Sequence, residues 1–200
     1  MIYELAYVLR TDATEDAIAK MAKLVEETVK SFNGEVLVSD NWGIKSFAQA
    51  TSKNVKKGNY FYVLYKADTN VNTELERRFK ISEDVLKFLF VKLGTDAEQE
   101  ALVKAYKSPN QATSTAEGGV DPEKEKKMFQ KRKSCYFSAK KTEPDWKDPS
   151  SYAWLVNEFG KISPARVTGL RPKYQRMATS AIKRGRCIGL ISYMSSQTAR

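Results

Sequence analysis

The stretch Tyr60–Tyr65, which reads YFYVLY, decides the fold of the N-terminal half of this 200-residue chain. Its aromatic and β-branched side chains favour a β-strand. Near the N-terminus, apolar side chains recur at every second residue, at Tyr3, Leu5, Tyr7 and Leu9. This period is that of a strand with one face turned towards a core. Both segments are therefore predicted to be strands of one sheet.

Helix and strand signals alternate around these two strands. A helix that ends near Asn33-Gly34 is predicted after the first strand. Its apolar residues recur at helical spacing and are Ile18, Met21, Ala22, Val25 and Val29. The remaining predicted elements are a strand over 35–50, either long and continuous or bent at Trp42-Gly43, a turn at Lys56–Asn59, a short helix over 71–79 and a strand over 85–93. The order βαββαβ predicts an α+β, ferredoxin-like domain, in which two helices cover one face of a four-stranded antiparallel sheet.

Positive charge is concentrated in the second half of the chain. The formal net charge is +10, yet residues 1–100 hold 14 basic and 16 acidic residues, whereas residues 101–200 hold 20 and 8. The stretch Lys161–Arg186 contains eight basic residues and no acidic one. Such a segment repels itself unless a polyanion lies against it. The second half is therefore predicted to bind nucleic acid or an anionic membrane, and RNA is favoured.

A small, basic all-α domain is predicted after a polar segment. Residues 108–122 carry one large aliphatic side chain, Val120, which is typical of a linker. The second folded part should begin near Cys135. Its predicted elements are a short helix that follows Pro149 and Ser151 and runs through Phe159, a loop over 161–169 and a helix over 172–190. The predicted domains are residues 1–95, a flexible linker over 96–126 with a short helix over 97–106, and residues 127–200.

The last predicted helix is amphipathic. One arc holds its apolar and small residues, which are Tyr174, Met177, Ala178, Ala181, Gly185 and Ile188. Lys173, Arg176 and Lys183 lie on the opposite side. Such a charged face is often only solvated, but here the preceding loop is basic as well and acidic residues are absent. We therefore expect this face to contact RNA.

The composition argues against several other classes of protein. The chain has no histidine and two cysteines, Cys135 and Cys187, so neither a Cys/His zinc site nor a disulfide framework is indicated. Clustered acids, a Gly-rich phosphate loop and a nucleophile–base pair are also missing from the sequence, so no enzyme, metal or cofactor is predicted. Apolar runs fall short of the roughly 20 residues of a membrane span. Ile2–Leu9 is too short for a signal sequence, so a cytoplasmic location is expected.

Several aromatic residues leave alternatives open. The segment Lys57–Tyr65 partly matches the third-strand motif of RNA-recognition domains, but Asn59 stands where an aromatic ring should stack a base. Trp42 is equally compatible with a core position and with contact to the second domain. Trp146, Tyr152 and Trp154 are predicted core residues of the helical domain. Both cysteines are predicted to be buried or half-buried thiols without a redox role.

The C-terminal part resembles bacterial small-subunit ribosomal protein eighteen. The resemblance rests on SPARVTG at 163–169, RPKYQRMATSAIKRGR at 171–186 and CYFS at 135–138, and it covers residues 127–194. The sequence departs from that family at Gly185, where alanine is usual. A glycine inside a helix costs about 1 kcal/mol of helix propensity relative to alanine.

The N-terminal part resembles bacterial small-subunit ribosomal protein six over residues 1–93. The matching features are Tyr3-Glu4, Trp42-Gly43-Ile44-Lys45, Gly58-x-Tyr60 and VLKFLFVKL at 85–93. An arginine commonly follows the Trp-Gly pair in that family, whereas Ile44-Lys45 stands here. The two resemblances together imply a structural constituent of the small ribosomal subunit, in which both partners of the platform occupy one chain.

These resemblances imply the partners and the residues that contact them. The expected partners are small-subunit rRNA and neighbouring ribosomal proteins, with pairing of the two domains inside the chain and a location in the cytoplasmic ribosome. An RNA-binding translational regulator outside the ribosome remains the alternative. The predicted RNA-binding residues of the helical domain are Arg132, Lys133, Lys161, Arg166, Thr168, Arg171, Lys173, Tyr174, Gln175, Arg176, Lys183, Arg184 and Arg186. Those of the first domain are Lys45, Lys53, Lys57 and Lys87, and its predicted partner-contacting residues are Trp42, Tyr60 and Tyr62.

Overall fold

The computed structural model describes residues 1–51, 55–94, 99–106, 108 and 135–194. The chain divides into two compact units. The first unit comprises Met1–Ser108 together with Cys187–Leu190, and the second comprises Pro109–Arg186 together with Ile191–Arg200. Most of the predicted linker over 96–126 lies outside the described residues. The four residues at 187–190, which the sequence had placed in the C-terminal domain, are part of the first unit.

The first unit has the predicted ferredoxin-like architecture. Its described elements are β1 (Ile2–Leu9), α1 (Glu15–Ser31), β2 (Glu35–Ser46), β3 (Lys57–Lys66), α2 (Thr69–Ile81), β4 (Val85–Gly94) and α3 (Gln99–Ala105). The strands form one sheet in the order β2-β3-β1-β4, and every neighbouring pair is antiparallel. This order places β3 and β1, the two strands on which the prediction was based, in the centre of the sheet. The βαββαβ prediction is confirmed.

The core of the first unit lies between the sheet and helices α1 and α2. The side chains that alternate along β1 enter it as the sequence predicted, together with residues from both helices: Tyr3, Leu5, Tyr7, Leu9, Met21, Val25, Val29, Val71, Leu75 and Phe79. Each large apolar side chain buried in this way stabilises the fold by roughly 1.5–3 kcal/mol. Helix α1 begins where the Thr14 hydroxyl accepts a hydrogen bond from the backbone N–H of Ala17 at 3.3 Å.

The other face of the sheet carries a stack of three aromatic rings. Trp42 stacks on Tyr62 with ring centroids 5.4 Å apart, and Tyr106, the residue after α3, stacks on Tyr62 at 4.6 Å. The Trp42 indole N–H donates to the Tyr106 hydroxyl at 2.9 Å, and this hydroxyl donates to the Asp40 carboxylate at 2.5 Å. The Tyr62 hydroxyl donates to Glu4, which is buried, at 2.7 Å. Tyr106 therefore fastens the end of α3 to the sheet.

The segment Cys187–Leu190 is attached to the first unit by backbone and side-chain hydrogen bonds. The Tyr60 hydroxyl donates to the Ile188 carbonyl at 3.0 Å, and the Ala48 N–H donates to the Gly189 carbonyl at 2.9 Å. Gly189 has φ +86°, and a Cβ at this position would come within 2.7 Å of the Phe47 ring. Only glycine combines this backbone conformation with so close an approach.

The second unit is helical, as predicted. Its described elements are α4 (Tyr136–Lys140), two 3₁₀ turns (Pro149–Ser151 and Ala153–Leu155), α5 (Ala165–Thr168) and α6 (Pro172–Ile188). Its buried apolar residues come from α4, α6 and the segments between them, and they include Phe137, Trp146, Tyr152, Leu155, Leu170, Ala178, Ala181 and Ile182. The Tyr152 hydroxyl donates to the Trp146 carbonyl at 3.0 Å, so the one polar atom of this buried side chain is satisfied.

The prediction for Trp154 was wrong, because its side chain is 45% exposed, whereas Trp146 and Tyr152 are core residues. The Trp154 indole N–H donates to the Ser151 carbonyl at 3.2 Å, and this bond holds the ring at the surface of its own 3₁₀ turn. The prediction for Cys187 was also wrong, because this thiol is exposed, whereas Cys135 is buried as expected.

Local hydrogen bonds change several predicted boundaries in the second unit. The predicted helix does not reach Phe159, because the Asn157 carboxamide accepts the N–H groups of Phe159 and Lys161 and closes a turn at Gly160, which has φ +78°. The predicted loop over 161–169 contains α5. Helix α6 ends at Ile188 rather than at residue 190.

Two predictions around β3 were wrong. Residues Lys57–Asn59 of the predicted turn belong to β3 and pair with the end of β2, which stops at Ser46 rather than at residue 50. Gly58 is not the predicted turn residue but a site of close packing, because a Cβ there would overlap the Val8 side chain and come within 2.8 Å of the Phe47 ring.

Candidate nucleic-acid interface

Helix α6 separates an apolar face from a basic face. Its buried residues are Ala178, Ala181, Ile182, Gly185 and Ile188, which fall within one arc at about 100° per residue. The basic side chains on the opposite arc are Lys173, Arg176, Lys183 and Arg184. Three of these four are exposed and Arg184 is half-buried. Because the apolar face fixes the rotation of the helix, the basic side chains are directed together towards solvent.

The residues before α6 extend this positive region. Lys161, Arg166 and Arg171 are all exposed. Helix α5 ends at Gly169, whose φ of +73° closes the turn that leads into α6. Together with the four basic residues of α6, these three form what we call the basic surface: Lys161, Arg166, Arg171, Lys173, Arg176, Lys183 and Arg184.

Most of the basic surface lacks a carboxylate partner. Among the residues that the structure describes, Lys173 is the member that forms a salt bridge, to Glu143 at 3.3 Å, and both side chains are mainly exposed. An exposed pair of this kind contributes little to stability. Of the other six cations, five are exposed and Arg184 is half-buried, and none has a carboxylate partner among residues 135–194. An external polyanion would therefore relieve their mutual repulsion.

Four further residues of the predicted RNA-binding set make contacts inside the second unit. The Gln175 side chain donates to the Ser163 carbonyl at 3.1 Å and lies 3.4 Å from the Thr168 hydroxyl. Tyr174 is half-buried and stacks on Phe137 at 5.7 Å. The Arg186 guanidinium donates to the Gly160 carbonyl and lies over the Tyr193 ring. These four side chains hold the loop and α6 in place, and so they position the basic surface.

The described lysines that were predicted in the first unit lie at one end of the sheet, where Lys45 pairs with Gly58, the residue after Lys57, and Lys87 pairs with Val8. Lys45 lies over the Trp42 ring at 5.3 Å, Lys87 lies over the Phe47 ring at 6.0 Å, and Lys57 is exposed at the start of β3. Lys53, Arg132 and Lys133 lie outside the described residues. Of the predicted partner-contacting residues, Trp42 and Tyr62 belong to the three-ring stack, and Tyr60 bonds to Ile188.

The two thiols differ in their surroundings. Burial acts to raise the pKa of Cys135, but backbone N–H groups, chiefly that of Arg171 at 3.4 Å from the sulfur, lower it more, and the pKa lies below its ordinary value. This bond ties the start of α4 to the residue before α6. No group of three His, Cys, Asp or Glu side chains able to hold a metal ion occurs in the described ranges. None of the helices described is both long enough and apolar enough to cross a membrane.

Sequence reasoning missed some exposed residues of the second unit. Tyr136, Trp154 and Phe159 are exposed aromatic residues, and Lys140 lies over the Tyr136 ring at 4.7 Å. No sequence pattern indicates their exposure, because a large aromatic residue in a small domain is usually buried. Their exposure is a property of the packed unit.

The fold and the surface together define a class of protein. A ferredoxin-like domain shares one chain with a small helical unit whose exposed face is strongly basic, and no metal-binding cluster occurs in the parts that the structure describes. A strongly basic face on a folded unit is typical of proteins that bind nucleic acid.

Comparison with known proteins identifies the family. The family model of ribosomal protein S6 matches residues 2–92, and that of ribosomal protein S18 matches residues 140–191. The small ribosomal subunit protein bS6 of Trichlorobacter lovleyi is 31% identical over 120 residues, which cover 58% of this chain and 98% of that protein. The bS6 protein of Pelobacter propionicus is 32% identical over 102 residues, which cover 51% and 78%. The solved structure of ribosomal protein S6 from Thermotoga maritima has a TM-score of 0.45 at 16% identity and covers 52% of this chain and 96% of its own.

The chain belongs to the ribosomal protein S6 family through its first unit and carries a ribosomal protein S18 region in its second. It is a small-subunit ribosomal protein that joins the two families in one polypeptide. The resemblances drawn from Trp42-Gly43 and from the segment around Lys183 are thereby confirmed.

Proposed function

We propose that this protein is a non-catalytic constituent of the small ribosomal subunit that binds rRNA at the platform of the subunit in the cytoplasm. The basic surface of the second unit supplies the phosphate contacts. The observation that carries the proposal is the set of six exposed or half-exposed cations that lack a carboxylate partner among residues 135–194. Lysine and arginine side chains of this kind set affinity and register on a sugar–phosphate backbone.

The first unit is assigned a different role. Its N-terminal hundred residues are nearly balanced in charge, and its central strands are buried, so it has no comparable attraction for phosphates. We assign it to protein contacts, both with the S18-like part of its own chain and with neighbouring ribosomal proteins. Lys45 and Lys57 would add phosphate contacts at its margin.

Charge reversal on α6 tests the role of the basic surface. Lys183→Glu together with Arg184→Glu should weaken binding to small-subunit rRNA by at least about tenfold, since each phosphate contact contributes on the order of 1 kcal/mol. The slope of log affinity against log salt should fall by about two, because two phosphate contacts are lost. Filter binding across a salt series measures both quantities.

Lys20→Glu with Lys23→Glu is the matched control. Both lysines are exposed on α1 of the first unit, and this pair changes the net charge by the same amount. The control should keep most of the affinity. Equal losses in the two variants would mean that net charge, rather than the basic surface, decides binding. Co-sedimentation of the wild-type chain with small subunits at high salt separates a ribosomal constituent from a regulator that acts elsewhere.

A further inference from the structure

Four aromatic rings form a continuous row along the second unit. Tyr174 stacks on Phe137 at 5.7 Å, the Phe137 and Trp154 centroids lie 6.1 Å apart, and Trp154 contacts Tyr136 at 5.2 Å. We call these four residues the aromatic row. Phe137 is buried and Tyr174 is half-buried, whereas Tyr136 is 40% exposed and Trp154 is 45% exposed. One end of the row is therefore part of the core and the other end offers ring surface to solvent.

Positive charge flanks the row at both ends. The Lys140 ammonium lies 4.7 Å from the centre of the Tyr136 ring, and the Lys173 ammonium lies 5.6 Å from that of Tyr174. Glu143, which pairs with Lys173, offsets part of this charge. The row adjoins the basic surface, since Lys173 belongs to that surface and lies over the Tyr174 ring.

We propose that Tyr136 and Trp154 form a stacking site for an unpaired base of RNA, next to the phosphate contacts of the basic surface. This inference rests on the proposed function. Single-stranded RNA is held by aromatic rings that stack its bases and by cations that follow its backbone. Exposed rings bordered by lysines supply both components. A purely apolar protein partner would gain nothing from Lys140 and Lys173 at the ends of the row.

Two RNA probes with equal charge separate stacking from phosphate binding. One is a mixed-sequence single-stranded decamer, and the other has the same backbone with abasic residues in place of the bases. The full chain should bind the base-containing decamer about tenfold more tightly, in the range that stacking of one base on an aromatic side chain supplies. Trp154→Ala and Tyr136→Ala should each reduce this preference to about threefold or less, with little effect on the abasic probe.

Phe159→Ala is the matched control, because Phe159 is 74% exposed and lies outside the row. Phe159→Ala should keep the full preference for the base-containing decamer over the abasic one. Trp154→Phe and Tyr136→Phe retain a ring and should keep most of the preference. They show whether a lower preference in the alanine variants comes from loss of the ring rather than from loss of the fold. The fluorescence of a 2-aminopurine base in the decamer should be quenched by the wild type and by Phe159→Ala, and much less by Trp154→Ala.

The possible outcomes distinguish the two proposals. A wild-type chain that binds both decamers equally, with strong salt dependence, would contradict the stacking site and leave phosphate binding intact. A preference that persists in both alanine variants would contradict it as well. Absence of salt-dependent binding to either decamer and to small-subunit rRNA would count against the proposed function itself.

Discussion

The glycine at position 185 of α6 is explained by its contact with Tyr152. Alanine would be better than glycine by about 1 kcal/mol inside a helix. However, a Cβ at residue 185 would overlap the hydroxyl oxygen of Tyr152, which is buried and bonded to the Trp146 carbonyl. The large ring of Tyr152 occupies the space that an alanine methyl group would need. The departure from the S18 pattern noted in the sequence is thus a packing requirement of this chain.

Gly185→Ala should therefore destabilise the protein, despite its better helix propensity. Overpacking of a core costs about 1–3 kcal/mol, which exceeds the gain in propensity. Removing the Tyr152 hydroxyl with Tyr152→Phe should recover much of the loss, so the two changes should couple in a double-mutant cycle of urea unfolding. Additive changes in the free energy of unfolding would show that a clash with the Tyr152 hydroxyl is not the cause of the destabilisation.

Glu74 is a second residue whose behaviour follows from its contacts. Hydrogen bonds from Arg77 and then Arg78, at 2.7–2.8 Å, lower the pKa of its carboxyl group from 4.5 to about 2. Because the folded-state pKa is depressed, the stabilisation is complete above pH 4.5 and is lost as the pH falls towards 2. Glu74→Gln should thus lower the melting temperature slightly at pH 6 and leave it unchanged near pH 2. NMR titration of the wild type checks the pKa directly.

At the scale of elements, the sequence predicted those with a strong periodic signal. The alternation in β1 and the helical spacing of Val25 and Val29 specified their elements, because burial on one face leaves a readable period. The apolar arc of α6 specified that helix in the same way. Hydrophobic periodicity does not distinguish a residue that contacts a ligand from one that stabilises the fold. Tyr174 and Arg186 lie beside the basic face, yet both make contacts inside the second unit.

The elements that were missed depend on contacts between distant residues. Gly58 resembles a turn residue, yet it belongs to β3 because Val8 and Phe47 lie too close for a side chain. Trp154 resembles a core residue, yet its indole donates to the Ser151 carbonyl and its ring contacts Tyr136 and Phe137 at the surface. Local propensity carries no information about such neighbours, so the aromatic half of the candidate site was not predictable.

Helix α3 offers a test at the same scale. Tyr106→Phe keeps the ring stacked on Tyr62 but removes the hydrogen bonds to Asp40 and Trp42. Since bonds to charged groups contribute about 1.5–3 kcal/mol, amide protection of α3 should fall by roughly tenfold or more while β1 and β3 keep theirs. Hydrogen exchange followed by NMR measures both. Equal losses throughout the sheet would show that Tyr106 supports the whole unit rather than the attachment of α3.

At the scale of the whole molecule, the two units should differ in self-sufficiency. Residues 1–95 contain the complete sheet and should unfold cooperatively, and residues 1–108 should be more stable because they add the Tyr106 contacts. Residues 124–200 have a small core and dense positive charge, so they should show weak amide protection in low salt and gain it when residues 1–108 are added. Native-like protection of isolated 124–200 in low salt would contradict this dependence.

The presence of both family regions in one polypeptide has a consequence for synthesis. Two separately translated partners reach a one-to-one ratio only if expression or degradation adjusts their amounts. Here each round of translation delivers one copy of each, so copy number is matched without regulation. The basic S18 region is therefore made only after the S6 region of the same molecule.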